Sequence, residues 1–335
     1  MKAIEKMNRK IVGITLGDPS GIGPEIILKA LTQHRSSFPS IIPVVFAPAS
    51  VLRFYARLLA IDVDIRPVLH FSQVVKPNDH TIYCFEEGLE HFDPNPGKIS
   101  ARNGKLSYEI MKQAIKAAMH KQIQAIVTAP IHKVALKRAG ITEQDHTAIL
   151  ARFTHSKDPL TLFMTGRLRI FFYTRHIPFR SIADHLNQRE LIRFTERCVS
   201  ALQRIGLEGG QLALAALNPH AGDGGLFGDE ETEILIPAVR LLRKKGIPIE
   251  GPIAADSVFH LAKEGIYDAV ISLYHDQGHI AAKTYDFYKT VSLTLGLPFL
   301  RTSVDHGTAL NIAGKNKANE ISMVEAIKAA DRYAW

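Results

Sequence analysis

At 335 residues the chain exceeds the length over which one hydrophobic core usually grows, so two domains are expected. A composition that is 46% apolar and 22% charged is that of a globular protein, and no apolar run approaches the ~18 to 20 residues that span a bilayer. The net charge of +8 is dispersed, with only Arg243-Lys244-Lys245 and Lys315 to Lys317 as short clusters. This argues against a nucleic-acid surface and fits an anionic small substrate equally well.

Met1 to Lys10 lacks the apolar centre of a signal peptide, so a cytoplasmic protein is expected, with no membrane partner. Ile11 to Leu16 reads as a strand, followed by the glycine-rich turn Gly17 to Glu25 and an apolar-periodic helix, Ile26 to Thr32. Pro24 and Glu25 suit the first helical turn. The turn is neither a Walker loop nor a dinucleotide fingerprint, and its spacing leaves a tight structural turn and an anion contact equally open. Ile42 to Phe46 is the next strand and Val51 to Leu59 a helix; the stretch from Val74 to Ser100 is polar and rich in Pro and Gly. A helix from about Gly104 to Met119, with Tyr108, Met111, Ile115 and Met119 on one face, leads into the strand Ala125 to Thr128. Alternating strands and helices argue for an α/β fold with mostly parallel strands. A hinge is expected near residue 130, and a second crossing near residue 309 would return the C-terminal helix, Met323 to Tyr333, to the first domain. The expected division is residues 1–130 plus 310–335 against residues 131–309. Cys84 and Cys198 are far apart in sequence, and a structural disulfide is not expected.

Three histidines each follow an apolar, strand-like run: His176 after Leu168 to Tyr173, His220 after Leu212 to Leu217, and His275 after Ala269 to Leu273. In an open parallel sheet, ligands gather where the chain leaves the carboxyl ends of the strands. Three neutral imidazoles with an open fourth position suit zinc or another borderline divalent ion that also meets substrate, although three unrelated strand-end histidines would read the same way. Asp145-His146-Thr147 precedes the helix Ala148 to Phe153, where an anion could dock or Asp145 could serve as a cap. Lys283 and Arg301 offer a point charge and a bidentate fork for phosphate or carboxylate. Asp256 could orient a metal-bound histidine or cap a helix.

Taken together, ITLGDPSGIGPEI from 14, TAPIHK from 128, ALNPHAGDGGLFGDEE from 216, YHDQGHI from 274 and TLGLPFLRTSVDHGTALNIAG from 294 resemble the 4-hydroxythreonine-4-phosphate dehydrogenase family of vitamin B6 synthesis, from residue 11 to about 330. The resemblance implies two α/β/α domains of the isocitrate/isopropylmalate dehydrogenase-like type with an active-site cleft between them. It implies a homodimer with its active site at the subunit interface, and a divalent metal (Zn, Mg, Co or Mn) held by His176, His220 and His275. Substrate contacts are implied for His146, Thr147, Lys283, Ser292 and Arg301, and NAD or NADP contacts for His306, Gly307, Thr308 and Ala309. Lys283, His146 and Asp256 are the candidates for moving protons.

The reaction implied is oxidation of 4-phosphohydroxy-L-threonine to a 3-keto acid that decarboxylates to 3-amino-2-oxopropyl phosphate. Several departures touch the substrate. The family's Gly-His-Thr-Glu is Asp145-His146-Thr147-Ala148 here, Thr-Thr-His is Thr174-Arg175-His176, and a substrate-contacting asparagine is Ser292. His279 and the stretch Glu320 to Met323 look more like a sister subgroup that oxidises D-erythronate or D-threonate 4-phosphate. A metal-dependent hydrolase and a non-catalytic binder of phosphorylated metabolites are the competing classes.

Overall fold

The structure is a computed structural model and describes residues 10–75 and 80–335; the first nine residues, on which the leader reading rests, lie outside the described residues. The chain forms two compact units, Met1–Pro159 with Leu297–Trp335, and Leu160–Gly296.

The first unit runs β1 (Lys10–Thr15), α1 (Gly23–Gln33), β2 (Ile41–Phe46), α2 (Ala49–Leu58), β3 (Asp64–Val68), β4 (Thr81–Phe85), α3 (Ala101–Met119), β5 (Ala125–Thr128), α4 (Lys133–Arg138) and α5 (His146–Thr154). After the second unit it is completed by β12 (Leu300–Val304) and α10 (Ile321–Tyr333). Its strands lie in the order β3-β4-β2-β1-β5-β12, all parallel. Every residue of β2, β5 and β12 is buried, so this sheet is covered on both faces. Ser100 caps α3 by accepting from the Asn103 N–H at 3.1 Å.

Three expectations change here. The polar stretch after Val74 contains a fully buried strand, β4, because Thr81-Ile82-Tyr83-Cys84-Phe85 is β-branched and aromatic enough to pair with β2 and β3. Met119 ends α3 but is 43% exposed, whereas Met111 and Ile115 are buried as expected. Residues 131–159 and 297–309 belong with the first unit, since α4 and α5 pack on α3 and β12 pairs with β5.

The second unit runs β6 (Leu160–Thr165), β7 (Leu168–Phe172), α6 (Gln188–Arg204), β8 (Leu212–Ala215), α7 (Ile236–Lys244), β9 (Ile249–Ile253), α8 (Ala255–Lys263), β10 (Ala269–Ser272), α9 (His275–Tyr285) and β11 (Val291–Leu295). Its strand order is β11-β6-β7-β10-β8-β9; β6 is antiparallel to both neighbours and the other pairs are parallel. The β6–β7 hairpin turns through Gly166 and Arg167, with Gly166 at φ 56°, the left-handed geometry that a two-residue hairpin loop favours. Phe163, Ile170, Phe172, Ala213, Val258, Val270 and Ala282 pack into one core between the sheet and helices α8 and α9. Both cysteines are buried free thiols. Among the described residues, no helix is long and apolar enough to cross a membrane.

Candidate functional site

The second unit carries the histidines. Tyr173 N–H donates to Ser272 O at 2.8 Å, and Thr174 donates to Leu273 O through its N–H (3.1 Å) and its hydroxyl (2.6 Å), so the loop after β7 is bound to the loop after β10. His176 and His275 consequently lie side by side, with ring centres 5.8 Å apart. His275 opens α9, and its Nδ1–H donates to Asp276 Oδ1 at 2.6 Å. A carboxylate can only accept, so this bond fixes the tautomer and leaves the Nε2 lone pair available. The His279 ring stacks on that of His275 at 3.7 Å and 13°, and its Nδ1–H donates to His275 O at 2.8 Å.

Sequence reasoning missed the residue that fastens this end of the sheet. Buried Gln277 accepts from Leu273 N–H at 2.8 Å and donates from Nε2 to Ala216 O at 2.7 Å, linking the ends of β10 and β8. A glutamine set between His275 and Gly278 was the available signal, since an uncharged polar side chain at the start of a helix has backbone groups to serve. Gly278 lets α9 approach the sheet, because a Cβ there would meet Phe172 at 2.5 Å and Ile170 at 2.8 Å.

His220 is placed differently. It begins a run of left-handed residues, with φ of 53°, 56°, 78°, 43° and 68° from His220 to Gly224, and its ring lies 6.5 Å from that of Phe227. The base of this loop is fixed: the buried Glu231 carboxylate accepts from Leu217 N–H, Asn218 N–H and Asn218 Nδ2, each at 2.8 Å. Its tip is exposed. Among the described residues no three His, Cys, Asp or Glu side chains are grouped closely enough to hold an ion. Of the three expected ligands, His176 and His275 are in ring contact, and His220 stands on the separate loop after β8. The pair itself suits a metal: two imidazoles bound at about 2.0–2.1 Å to one tetrahedral ion have ring centres roughly 5–6 Å apart. A pocket of about 270 Å³ opens beside it, lined by Arg175, His176, Phe179, Tyr274, His275 and Asp276 among others. Arg175 Nη1 donates to Thr161 Oγ1 at 2.5 Å.

Of the other residues proposed in this unit, Lys283 stands in the last turn of α9, partly exposed, with its ammonium 5.5 Å from the Phe287 ring centre. Ser292 is 9% exposed on β11, opposite Phe163 on β6. Asp256 is exposed in the first turn of α8, where its charge favours the helix dipole; it is not the cap, a place taken by Ala254.

The first unit carries Arg301, His146 and Thr147. Arg301, 6% exposed on β12, donates from Nε (3.1 Å) and Nη2 (2.8 Å) to Thr128 Oγ1 at the end of β5. Burial lowers this guanidinium to about 10, a shift that Asp145 opposes, and it stays cationic at neutral pH. Asp145 caps α5, accepting from Ala148 N–H at 2.9 Å. His146 follows; burial, then the Arg301 charge, holds its pKa well below the usual 6.5, so the ring is neutral. One of its nitrogens bonds the Ala129 carbonyl, while Nε2 is buried with no hydrogen-bond partner. Thr147 is partly exposed in the same first turn.

The glycine turn is built into the first unit. Residues 17–25 are all buried and their backbone groups are used internally: Asp18 N–H donates to Pro130 O at 2.9 Å, Ser107 Oγ to Gly17 O at 3.0 Å and Tyr55 OH to Pro19 O at 3.0 Å. The turn thus has a structural role, and within it Asp18 Oδ2 and Ser20 Oγ are buried without a hydrogen-bond partner. It also receives the loop proposed to meet the nicotinamide cofactor, since Ile22 N–H donates to Thr308 O at 3.0 Å. In that loop Gly307 is exposed, Thr308 is buried and Ala309 adopts φ 40°, while His306 Nδ1–H donates to Gly307 O at 3.1 Å.

Comparison with known proteins gives concordant results. A "Putative D-threonate 4-phosphate dehydrogenase" of Clostridium botulinum (strain Langeland) is 41% identical over 328 residues, 98% of each chain. A protein of the same name from Halalkalibacterium halodurans is 42% identical over 329 residues, again 98% of each. The crystal structure of a 4-hydroxythreonine-4-phosphate dehydrogenase from Klebsiella pneumoniae superposes with a TM-score of 0.87 at 38% identity, covering 97% of this chain and 98% of that one. A namesake from Burkholderia phymatum gives 0.86 at 36%, with the same coverage. The family described as "Pyridoxal phosphate biosynthetic protein PdxA" matches residues 40–330. The chain belongs to the PdxA family and is an oxidoreductase of the 4-hydroxythreonine-4-phosphate dehydrogenase type.

Proposed function

We propose that the protein oxidises the 3-hydroxyl of a four-carbon acid 4-phosphate with NAD or NADP, aided by a divalent metal, giving a 3-keto acid that loses CO2. The observation that carries this reading is the His176–His275 pair with His275 Nδ1 locked by Asp276. His220 is the third ligand in this reading. A divalent ion bound there would supply Lewis-acid polarisation of the substrate hydroxyl and of the keto group, and a bound nicotinamide would supply the hydride acceptor. The protein's own groups do the rest. Arg301 and Lys283 hold phosphate or carboxylate, so that binding energy at the non-reacting ends orients the reacting carbon. Neutral His146, with a free lone pair on Nε2, accepts a hydrogen bond or proton from the substrate. Lys283 and Asp256 are the other groups that would move protons. His306, Gly307, Thr308 and Ala309 contact the cofactor. The enzyme works as a cytoplasmic homodimer with its active site at the subunit interface.

The names of the relatives at 41–42% identity favour D-threonate 4-phosphate, or its epimer D-erythronate 4-phosphate, as substrate. Decarboxylation would then give dihydroxyacetone phosphate. A second reading, 4-phosphohydroxy-L-threonine giving 3-amino-2-oxopropyl phosphate, is favoured by the names of the solved structures. The test is reduced-nicotinamide formation by metal-supplemented protein with each of the three acids. Turnover of a sugar acid with stoichiometric dihydroxyacetone phosphate is expected; absence of turnover with all three overturns the proposal.

A further inference from the structure

The pocket beside the histidine pair contains a permanent charge that the metal-assisted oxidation does not require. Arg175 lines it together with His176 and His275. Its guanidinium is tethered, since Nη1 donates to Thr161 Oγ1 at 2.5 Å on β6. Thr161 and Phe163 alternate along β6 and so share a face, and Phe163 pairs with Ser292 on β11. The tether therefore holds the Arg175 cation on the sheet face that bears Ser292. That face is also the one α9 covers, because the Phe163 ring lies 4.3 Å from that of His279.

The candidate substrates are alike in phosphate, carboxylate and 3-hydroxyl, and an arginine acts on those shared groups equally in each. They differ at C2, next to the reacting carbon, where the sugar acids carry a neutral hydroxyl and the amino acid an ammonium. We infer that Arg175 is a specificity-determining residue that makes the pocket select 2-hydroxy over 2-ammonium acid phosphates. It acts by like-charge repulsion against the ammonium, which is discrimination through an unfavourable contact with the wrong substrate. A 2-hydroxyl incurs no such penalty and can accept a hydrogen bond from the guanidinium. This inference rests on the dehydrogenase reading above.

The test compares kcat/KM for D-threonate 4-phosphate and 4-phosphohydroxy-L-threonine in the wild type and in Arg175→Gln, Arg175→Met and Arg175→Lys, each checked for folding by calorimetry. The wild type is expected to prefer the sugar acid by at least about tenfold, as unit charges a few ångströms apart in a partly shielded pocket imply. Both neutral variants are expected to move the ratio toward the amino acid by about 10- to 100-fold, mainly through KM of the amino acid, and Arg175→Lys to keep the wild-type direction. A structural role alone would depress both substrates equally and leave the ratio fixed. An unchanged ratio in a folded neutral variant, or a wild type that turns over both acids without preference, overturns the inference. A wild type that oxidises neither acid overturns the dehydrogenase reading instead.

Discussion

The side-chain amide of Gln277 donates to the carbonyl of Ala216 at 2.7 Å while its oxygen accepts from Leu273 N–H at 2.8 Å, so one uncharged residue joins the ends of two neighbouring strands. Gln277→Ala would leave both backbone groups without these partners in a buried region. The expected cost is about 1–3 kcal/mol, since unmet buried hydrogen-bonding groups carry their full desolvation penalty. Urea denaturation of the metal-free protein checks it.

The Asp276 carboxylate accepts from His275 Nδ1–H, which leaves Nε2 to serve the proposed metal. Asp276→Ala removes that lock and is expected to weaken divalent-metal binding roughly 10- to 100-fold, the usual effect of losing an orienting carboxylate. Competition with a chromophoric chelator reads it directly. Because Asp276 is 70% exposed, its loss should scarcely change stability.

His146 predicts a pH dependence. Its folded pKa lies well below 6.5, so the unfolded chain binds the proton more readily. Stability from this group is whole above the unfolded value and is lost as pH falls from about 6.5 toward the folded value. Chemical denaturation between about pH 7 and pH 5 should show the wild type losing more stability than His146→Asn, which has no proton to gain in that interval.

Gly278 faces Phe172 and Ile170 at distances no Cβ tolerates. Gly278→Ala must displace α9 from β7 or force rotamer changes, and is expected to cost about 1–3 kcal/mol. The same displacement moves His275 from His176, so metal affinity should fall with thermal stability; an unaltered melting temperature would refute the close-approach argument.

Much of this was legible in the chain, for identifiable reasons. The strand Ala125–Thr128 has the expected bounds because it is a short apolar run between a helix and Pro130. The adjacency of His176 and His275 followed from their positions at strand ends. The loop conformation at His220 was not legible, because a left-handed run containing Ala221 and Asp223 leaves no periodicity in the sequence. Strand β4 was hidden by the polar residues flanking it. The boundaries of the units were misplaced because the packing of α4 and α5 on α3 is a tertiary choice that residue spacing does not encode. The tether from Arg175 to Thr161 required the β6–β7 hairpin to be folded first.

The two-segment origin of the first unit matters during synthesis. Strand β5 needs β12 as its neighbour, but β12 leaves the ribosome about 170 residues later, a delay of roughly 10 to 35 s at ordinary translation speeds. Throughout that interval β5 presents an unpaired parallel edge, while the intervening 160–296 segment is made as one continuous piece whose strands pair with one another. Nascent chains stalled before residue 300 should therefore be the ones that chaperones hold, and a destabilising change in β12 should lower the yield of soluble protein more than an equal change in β8.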